Sequence, residues 1–316
     1  MNKVVVLNAL KMNYDGNLDY SVLSPDTVTY DDTTPDQILE RITDAAVVVT
    51  KEMPVSAEVI RQFPACVKLI CEAGTGYNNI AIEAAREKGI TVCNVPAYST
   101  ERVAHTAIMM MLNLSSMMQV QIKMLAKGDH RNFTDHLTVP HVELNGKTLG
   151  IVGVGHIGRE VAKVGQALGM NVIAHNRSAR DDEENLHYDT LEYVLSNSDY
   201  LSLHCPLTEE TRHLINERTL ALMKPSAFLI NTARGGLIDE TALIRALQEH
   251  RIAGAGLDVQ ETEPPAEDNP LYEMDQVILT PHMGWRGLET RQRLVSIVAD
   301  DIHSFFAGTP INVVNG

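Results

Sequence analysis

One stretch constrains this chain more than any other: KTLGIVGVGHIGREVAKVGQALGMNVIAHNR, residues 147–177. An apolar run leads into Gly153-Val154-Gly155-His156-Ile157-Gly158. A helical pattern follows, Gly169 stops it, and a second apolar run ends at His175-Asn176-Arg177-Ser178. Glycines at this spacing between a strand and a helix build a turn that cradles a dinucleotide pyrophosphate. The first glycine allows the tight turn, the second lets backbone approach the phosphates, and the third lets helix and strand pack closely. The helix start, at His156 and Ile157, presents free N–H groups to the anion. A strand–turn–helix–strand unit of this kind fits a parallel α/β sheet.

The end of the second strand bears on which dinucleotide is used. An aspartate there would bond the ribose 2′-hydroxyl and repel a 2′-phosphate. Here the residue is Asn176, followed by Arg177 and Ser178. One reading has Arg177 and Ser178 hold the phosphate of NADPH. The other has Arg177 solvated and NADH used through Asn176. The cofactor is NAD or NADP.

The rest of the chain repeats the alternation. Near-continuous apolar strands read KVVVLNA, TVTYDD, AAVVVTKE, VKLICEAG and ITVCNVP, with helices TPDQILERI, SAEVIRQF and IAIEAAREKG between them. Pro35 opens the first helix, Ser56 caps the second and Gly89 closes the third. One long helix is expected from Ser99 to Gly128, with its methionines in the core. An aperiodic polar stretch, residues 129–144, follows. A second series runs through YLSLHCP, AFLINTARGG, GAGLDV and QVILTPH to a last helix stopped by Gly308. Such strands suit parallel sheets buried on both faces.

Composition narrows the partners. The formal net charge is −15, so nucleic acid and anionic membranes are not expected partners. No apolar run reaches membrane-spanning length. The start, MNKVVVLNAL, fits a first strand better than a signal peptide. Cys66, Cys71, Cys93 and Cys205 form no CxxC pair and read as reduced core thiols of a cytoplasmic protein. No metal site is expected.

Ligands of open α/β sheets bind at the carboxyl ends of strands. Three successive ends offer Thr232-Ala233-Arg234, then Asp258 with Glu263, then His282. A 2-oxo acid needs a planar bidentate cation for its carboxylate, which arginine supplies. Its carbonyl oxygen gains charge on reduction, and a histidine titrating near neutrality protonates it. A carboxylate beside that histidine fixes the tautomer.

With these residues in view, the chain resembles the D-isomer-specific 2-hydroxyacid dehydrogenases. The resemblance rests on CEAGTGYNNI (71–80), KGITVCNVPAYSTERVA (88–104), the glycine turn, LHCPLTEETRHLI (203–215), MKPSAFLINTARGGLIDETAL (223–243), AGAGLDVQETEPP (253–265) and ILTPHMGW (278–285). VVTKEMPVSAE (48–58) is most like the glycerate dehydrogenase and hydroxypyruvate reductase branch. The resemblance implies an α/β fold of two Rossmann-like parallel-sheet domains with the active site in the cleft between them. Residues 1–99 plus 285–316 would form a discontinuous, flavodoxin-like substrate domain, and 100–284 the dinucleotide domain. It implies that Arg234 binds substrate, His282 is the acid/base and also meets the cofactor, and Glu263 orients His282. Gly74, Thr75 and Gly76 would hold the substrate carboxylate, with Met53 shaping the pocket. Thr232, Ala233, Asp258 and the turn Cys205-Pro206 would contact the cofactor. A homodimer joined through the cofactor domains is implied. The expected reaction is reduction of hydroxypyruvate, glyoxylate or a pyruvate-like acid, and its reverse. The alternative is a dinucleotide-sensing binding protein or corepressor on the same fold.

Overall fold

The computed structural model describes residues 2–178 and 180–316. The chain divides into two compact units, Met1–Ser99 with Trp285–Gly316, and Thr100–Gly284.

The first unit is built on a five-stranded parallel sheet. Its strands are β1 (Val4–Val6), β2 (Thr27–Thr29), β3 (Val47–Thr50), β4 (Leu69–Glu72) and β5 (Thr91–Cys93), in the order β2-β1-β3-β4-β5. β1, β3 and β4 are buried along their whole length. Both faces are therefore covered. Leu69 and Cys71 face a core that includes Leu294 and Val298 of the helix Leu288–Phe306. Ile70 faces the opposite core with Ile60, Ala84 and Ala85. This alternation across a strand with no polar side is what lets β-branched runs form a buried parallel sheet. The helix signals act locally as read: Thr34 and Gln37 form a capping box, Ser56 accepts from Val59 N, and Gly89 takes φ +68°.

The second unit carries a seven-stranded parallel sheet. Its strands are β6 (Thr148–Val152), β7 (Asn171–His175), β8 (His187–Tyr188), β9 (Tyr200–Leu203), β10 (Phe228–Asn231), β11 (Gly254–Leu257) and β12 (Val277–Leu279). The order is β12-β11-β10-β9-β6-β7-β8. Its direction of growth reverses at β6, which pairs with both β7 and β9. The carboxyl ends of strands flanking such a reversal are where ligands bind in open α/β sheets. β8, a two-residue edge strand, has no counterpart among the strands read from the sequence.

Two expectations need correction. The helix expected over 99–128 is two helices, Thr100–Ser115 and Met118–Ala126, broken at Met117 with φ +47°. Asn113 Nδ2 donates to Met109 O, Ser115 Oγ and Ser116 Oγ both donate to Leu112 O, and Val142 N takes Ser115 O. These bonds compete with the next helical turn and end it. Met110, Met111 and Met117 are buried as expected, but Met109 is only half-buried and Met118 is exposed. Among the cysteines, Cys71 and Cys93 are core thiols, but Cys66 is exposed and Cys205 is partly so. Cys66 follows Pro64 and Ala65 in the turn before β4 and donates outward to Thr43 O rather than packing inward. No helix among the described residues is long and apolar enough to cross a membrane.

Candidate active site

The three glycines of the 153–158 turn meet three different constraints. Gly153 adopts φ +96°, and a side chain there would strike Cys205 N at 2.6 Å. Gly158 faces Gly153 O, which a Cβ would approach to 2.2 Å, so the helix His156–Ala167 lies hard against the turn. Gly155 faces open space. It is the N-cap of that helix and has no side chain to satisfy the first N–H groups. An anion arriving at Gly155 meets unpaired amides and the positive helix end.

Beside this turn lies a cavity of about 440 Å³. Gly153 and Gly155 form one wall. Asn176, Arg177 and Ser178 at the end of β7 form a second, and His204, Cys205 and Pro206 at the end of β9 a third. Asn176 Oδ1 accepts from Val154 N at 2.7 Å, so its carbonyl is engaged by the turn. Arg177 pairs with Glu210 at 3.7 Å across the exposed rim. Burial pushes the Cys205 thiol up to about 11 and the His204 imidazole down to about 4. Both are neutral near pH 7, and His204 Nε2 meets Ser202 Oγ at 2.8 Å. Arg180, Thr208 and Glu210 also line the cavity and were not singled out in the sequence. Thr208 and Glu210 lie within LHCPLTEETRHLI, so motif membership was the available signal.

The other strand ends form a connected series. Asn231, at the end of β10, accepts from Ala233 N and donates to Arg234 O, which fixes the Arg234 turn. The Arg234 side chain is exposed, with Nη1 donating to Ala233 O at 2.7 Å. Gly235 then passes so close to the next loop that a Cβ would lie 1.8 Å from Gln260 O. Gln260 N donates to Glu263 Oε1 at 3.0 Å, and Glu263 Oε2 meets His282 Nδ1 at 2.9 Å. An arginine turn, a carboxylate and an imidazole from neighbouring strand ends are thus linked through one loop.

His282 occupies a left-handed conformation, φ +49°, which a residue with a side chain rarely adopts. Its backbone N–H donates to Asp258 O. The Asp258 carboxylate is buried and takes three donors: Oδ1 accepts from Thr280 Oγ1 at 2.6 Å and Met283 N at 2.9 Å, and Oδ2 accepts from Gly284 N at 2.8 Å. Asp258 therefore holds the His282 turn. An alanine at position 284 would place its Cβ 2.8 Å from Asp258 Oδ2, so glycine fits here.

The remaining positions fall as follows. Thr232 is buried and its Oγ1 has no hydrogen-bond partner among the described residues, which suits a polar ligand group. His156, Ile157, Thr232, Ala233, Asp258 and His282 lie outside the lining of the 440 Å³ cavity. In the first unit, Thr75 Oγ1 donates to Val95 O and Val95 N donates to Gly74 O, which fixes the 74–76 turn. The amides of Thr75 and Gly76 have no acceptor among the described residues. Met53 is buried in the core with Leu7, Val55 and Ile80, so its side chain supports its loop from beneath.

The open face at Gly155, the orphaned Thr232 hydroxyl and the cavity beside the turn all fit a bound dinucleotide. Gly155→Ala is predicted to leave the melting temperature nearly unchanged, since nothing stands where its Cβ goes. It should weaken NADH and NADPH binding by roughly tenfold or more, because phosphate and methyl compete for one space. Calorimetric titration and a thermal melt check both.

Comparisons with known proteins give the family. The family model described as D-isomer specific 2-hydroxyacid dehydrogenase, NAD binding domain, matches residues 108–284. A hydroxypyruvate reductase of Blautia hydrogenotrophica is 37% identical over 322 residues, covering 99% of each chain. A glycerate dehydrogenase of Methylorubrum extorquens is 38% identical over 285 residues, covering 89% of each. The crystal structure of a D-lactate dehydrogenase from Aquifex aeolicus, complexed with NAD and lactic acid, superposes with TM-score 0.87 at 31% identity and covers 99% of each chain. This chain belongs to the D-isomer specific 2-hydroxyacid dehydrogenases, NAD(P)-dependent oxidoreductases acting on CH–OH donors.

Proposed function

We propose that this protein reduces hydroxypyruvate or glyoxylate, or a pyruvate-like acid of similar size, to the D-2-hydroxy acid and catalyses the reverse oxidation. The observation that carries this reading is the Glu263–His282 pair, 2.9 Å apart at a strand end linked to the Arg234 turn. A bound nicotinamide dinucleotide supplies the hydride. The residues of this chain do the rest. Arg234, exposed beyond β10, offers two parallel N–H donors to the substrate carboxylate and carbonyl. His282, with Nδ1 turned to Glu263, presents Nε2 to the carbonyl oxygen and delivers its proton there. Glu263 offsets the charge of the protonated ring and fixes its tautomer. The acceptor-free amides of Thr75 and Gly76 are further donors for the carboxylate.

The cofactor wall favours NADPH as an accepted partner. The Asn176 carbonyl is engaged by Val154 N, no aspartate stands at this strand end, and Arg177, Ser178 and Arg180 line the same cavity. A 2′-phosphate would take Arg177 from Glu210, an exchange that an exposed pair permits at little cost.

A homodimer is proposed through residues 112–142 of the dinucleotide unit. Leu112, Met118, Ile122, Leu125, Phe133 and Leu137 are all exposed there, and Phe133 is 79% exposed. Apolar side chains gathered in one segment mark an association surface. The free thiols support residence in the reducing cytoplasm.

Nicotinamide absorbance with hydroxypyruvate, glyoxylate, pyruvate and a branched 2-oxo acid, each with NADH and NADPH, tests the reading. Fast oxidation is expected with the small acids. Tight dinucleotide binding without any oxidation would favour a sensing protein instead. Arg177→Ala should raise the NADPH KM by roughly tenfold and leave the NADH KM nearly unchanged. An unchanged NADPH KM would remove the phosphate role. For the dimer, light scattering is expected to give twice the chain mass for the native protein and the single chain mass for Ile122→Asp combined with Phe133→Asp.

A further inference from the structure

Lys51 is the one lysine among the described residues that is almost wholly buried, with its side chain 3% exposed. It follows β3 directly, and its main chain is clamped by Asn8: Lys51 N donates to Asn8 Oδ1, and Asn8 Nδ2 donates to Lys51 O. The next residues are fixed as firmly. Glu52 N donates to Glu72 Oε1, and Asn79 Nδ2 donates to both Glu72 Oε2 and Met53 O. Glu52 is held at φ +54°, a conformation that persists only where the surroundings impose it.

This framework traps an ammonium. Lys51 Nζ lies 4.1 Å from the centroid of the Trp285 ring and 2.6 Å from Glu52 Oε1. It also lies 3.1 Å from the point where a Cβ on Gly74 would stand. The charge therefore sits directly against the turn whose Thr75 and Gly76 amides lack acceptors. Burial pushes the Glu72 carboxyl up to about 7, so near neutrality it cancels that charge only in part. A lysine needed only for folding has no reason to abut an open pair of donors, and a leucine or methionine would fill the space without an ion to desolvate.

We propose that Lys51 is a positioning residue for substrate: its trapped ammonium sets how tightly the 74–76 turn holds an anionic carboxylate, and Glu52 tunes that charge from the solvent side. This rests on the 2-oxo acid reading above. The expected signature is a change in the affinity for small carboxylates with little change in turnover.

The test uses the full-length protein and oxamate, a small carboxylate that is not reduced. Its Kd is measured by calorimetry with saturating NADH, beside hydroxypyruvate kinetics. Lys51→Met should raise the oxamate Kd and the hydroxypyruvate KM by about tenfold, with kcat falling less than about threefold and the NADH Kd unchanged. Glu52→Gln retains an acceptor for Lys51 and removes one negative charge, so it should lower the oxamate Kd by about threefold. Opposite signs from neighbouring residues are not what general loosening produces. Should Lys51→Met fail to fold, the exposed Glu52→Gln variant decides by itself. Shifts of the same sign, no shift beyond about twofold in either variant, or no oxamate binding by the native protein would overturn the proposal. A native protein that binds oxamate but reduces none of the 2-oxo acids would sink the activity reading while leaving the Lys51 effect measurable.

Discussion

The buried carboxylate of Asp258 is the interaction on which the geometry of the His282 turn depends. It sits at the end of β11, between β10 and β12, and gathers Thr280 Oγ1, Met283 N and Gly284 N from the following strand end. A carboxylate taken out of water must find donors or become neutral. Here three donors come from one short turn, so satisfying the charge and shaping the turn are the same event. The product is His282 in a left-handed conformation with Nδ1 on Glu263. A loop with ordinary dihedrals would point the imidazole elsewhere.

The same logic of close approach governs the neighbouring loops. Gly235 and Gly158 are required because backbone carbonyls stand where a side chain would go. Gly155 has nothing in front of it, and that open face leaves room for a ligand. Within the 153–158 motif, Gly153, Gly158 and Gly155 therefore answer to strain, packing and ligand space separately. Substituting them would produce three different failures rather than a graded one.

Much of this was legible from residues alone, for identifiable reasons. Buried parallel strands need continuous apolar runs, and VVV at 4–6 or LIC at 69–71 cannot be read otherwise once helices flank them. The Arg, Glu and His announce themselves by standing at strand ends. What was not legible depended on contacts distant in sequence or on competition between local bonds. The break at Met117 follows from Asn113, Ser115 and Ser116 turning back onto their own helix, which periodicity does not register. The Lys51 cluster joins Glu72 and Asn79 of the 71–80 motif to Asn8 and Trp285, which come from opposite ends of the chain. The resemblance implies that Asp258 contacts the cofactor; its oxygens also accept from the His282 turn, a use that strand-end position does not register.

That last point offers the most direct test. Asp258→Asn preserves the shape and removes the charge, leaving an amide N–H facing backbone donors. Steady-state reduction of hydroxypyruvate is to be measured beside the NADH Kd from fluorescence. If Asp258 acts by placing His282, kcat should fall by about a hundredfold while the Kd stays within about threefold. An unchanged kcat, or a loss confined to cofactor affinity, would contradict the account.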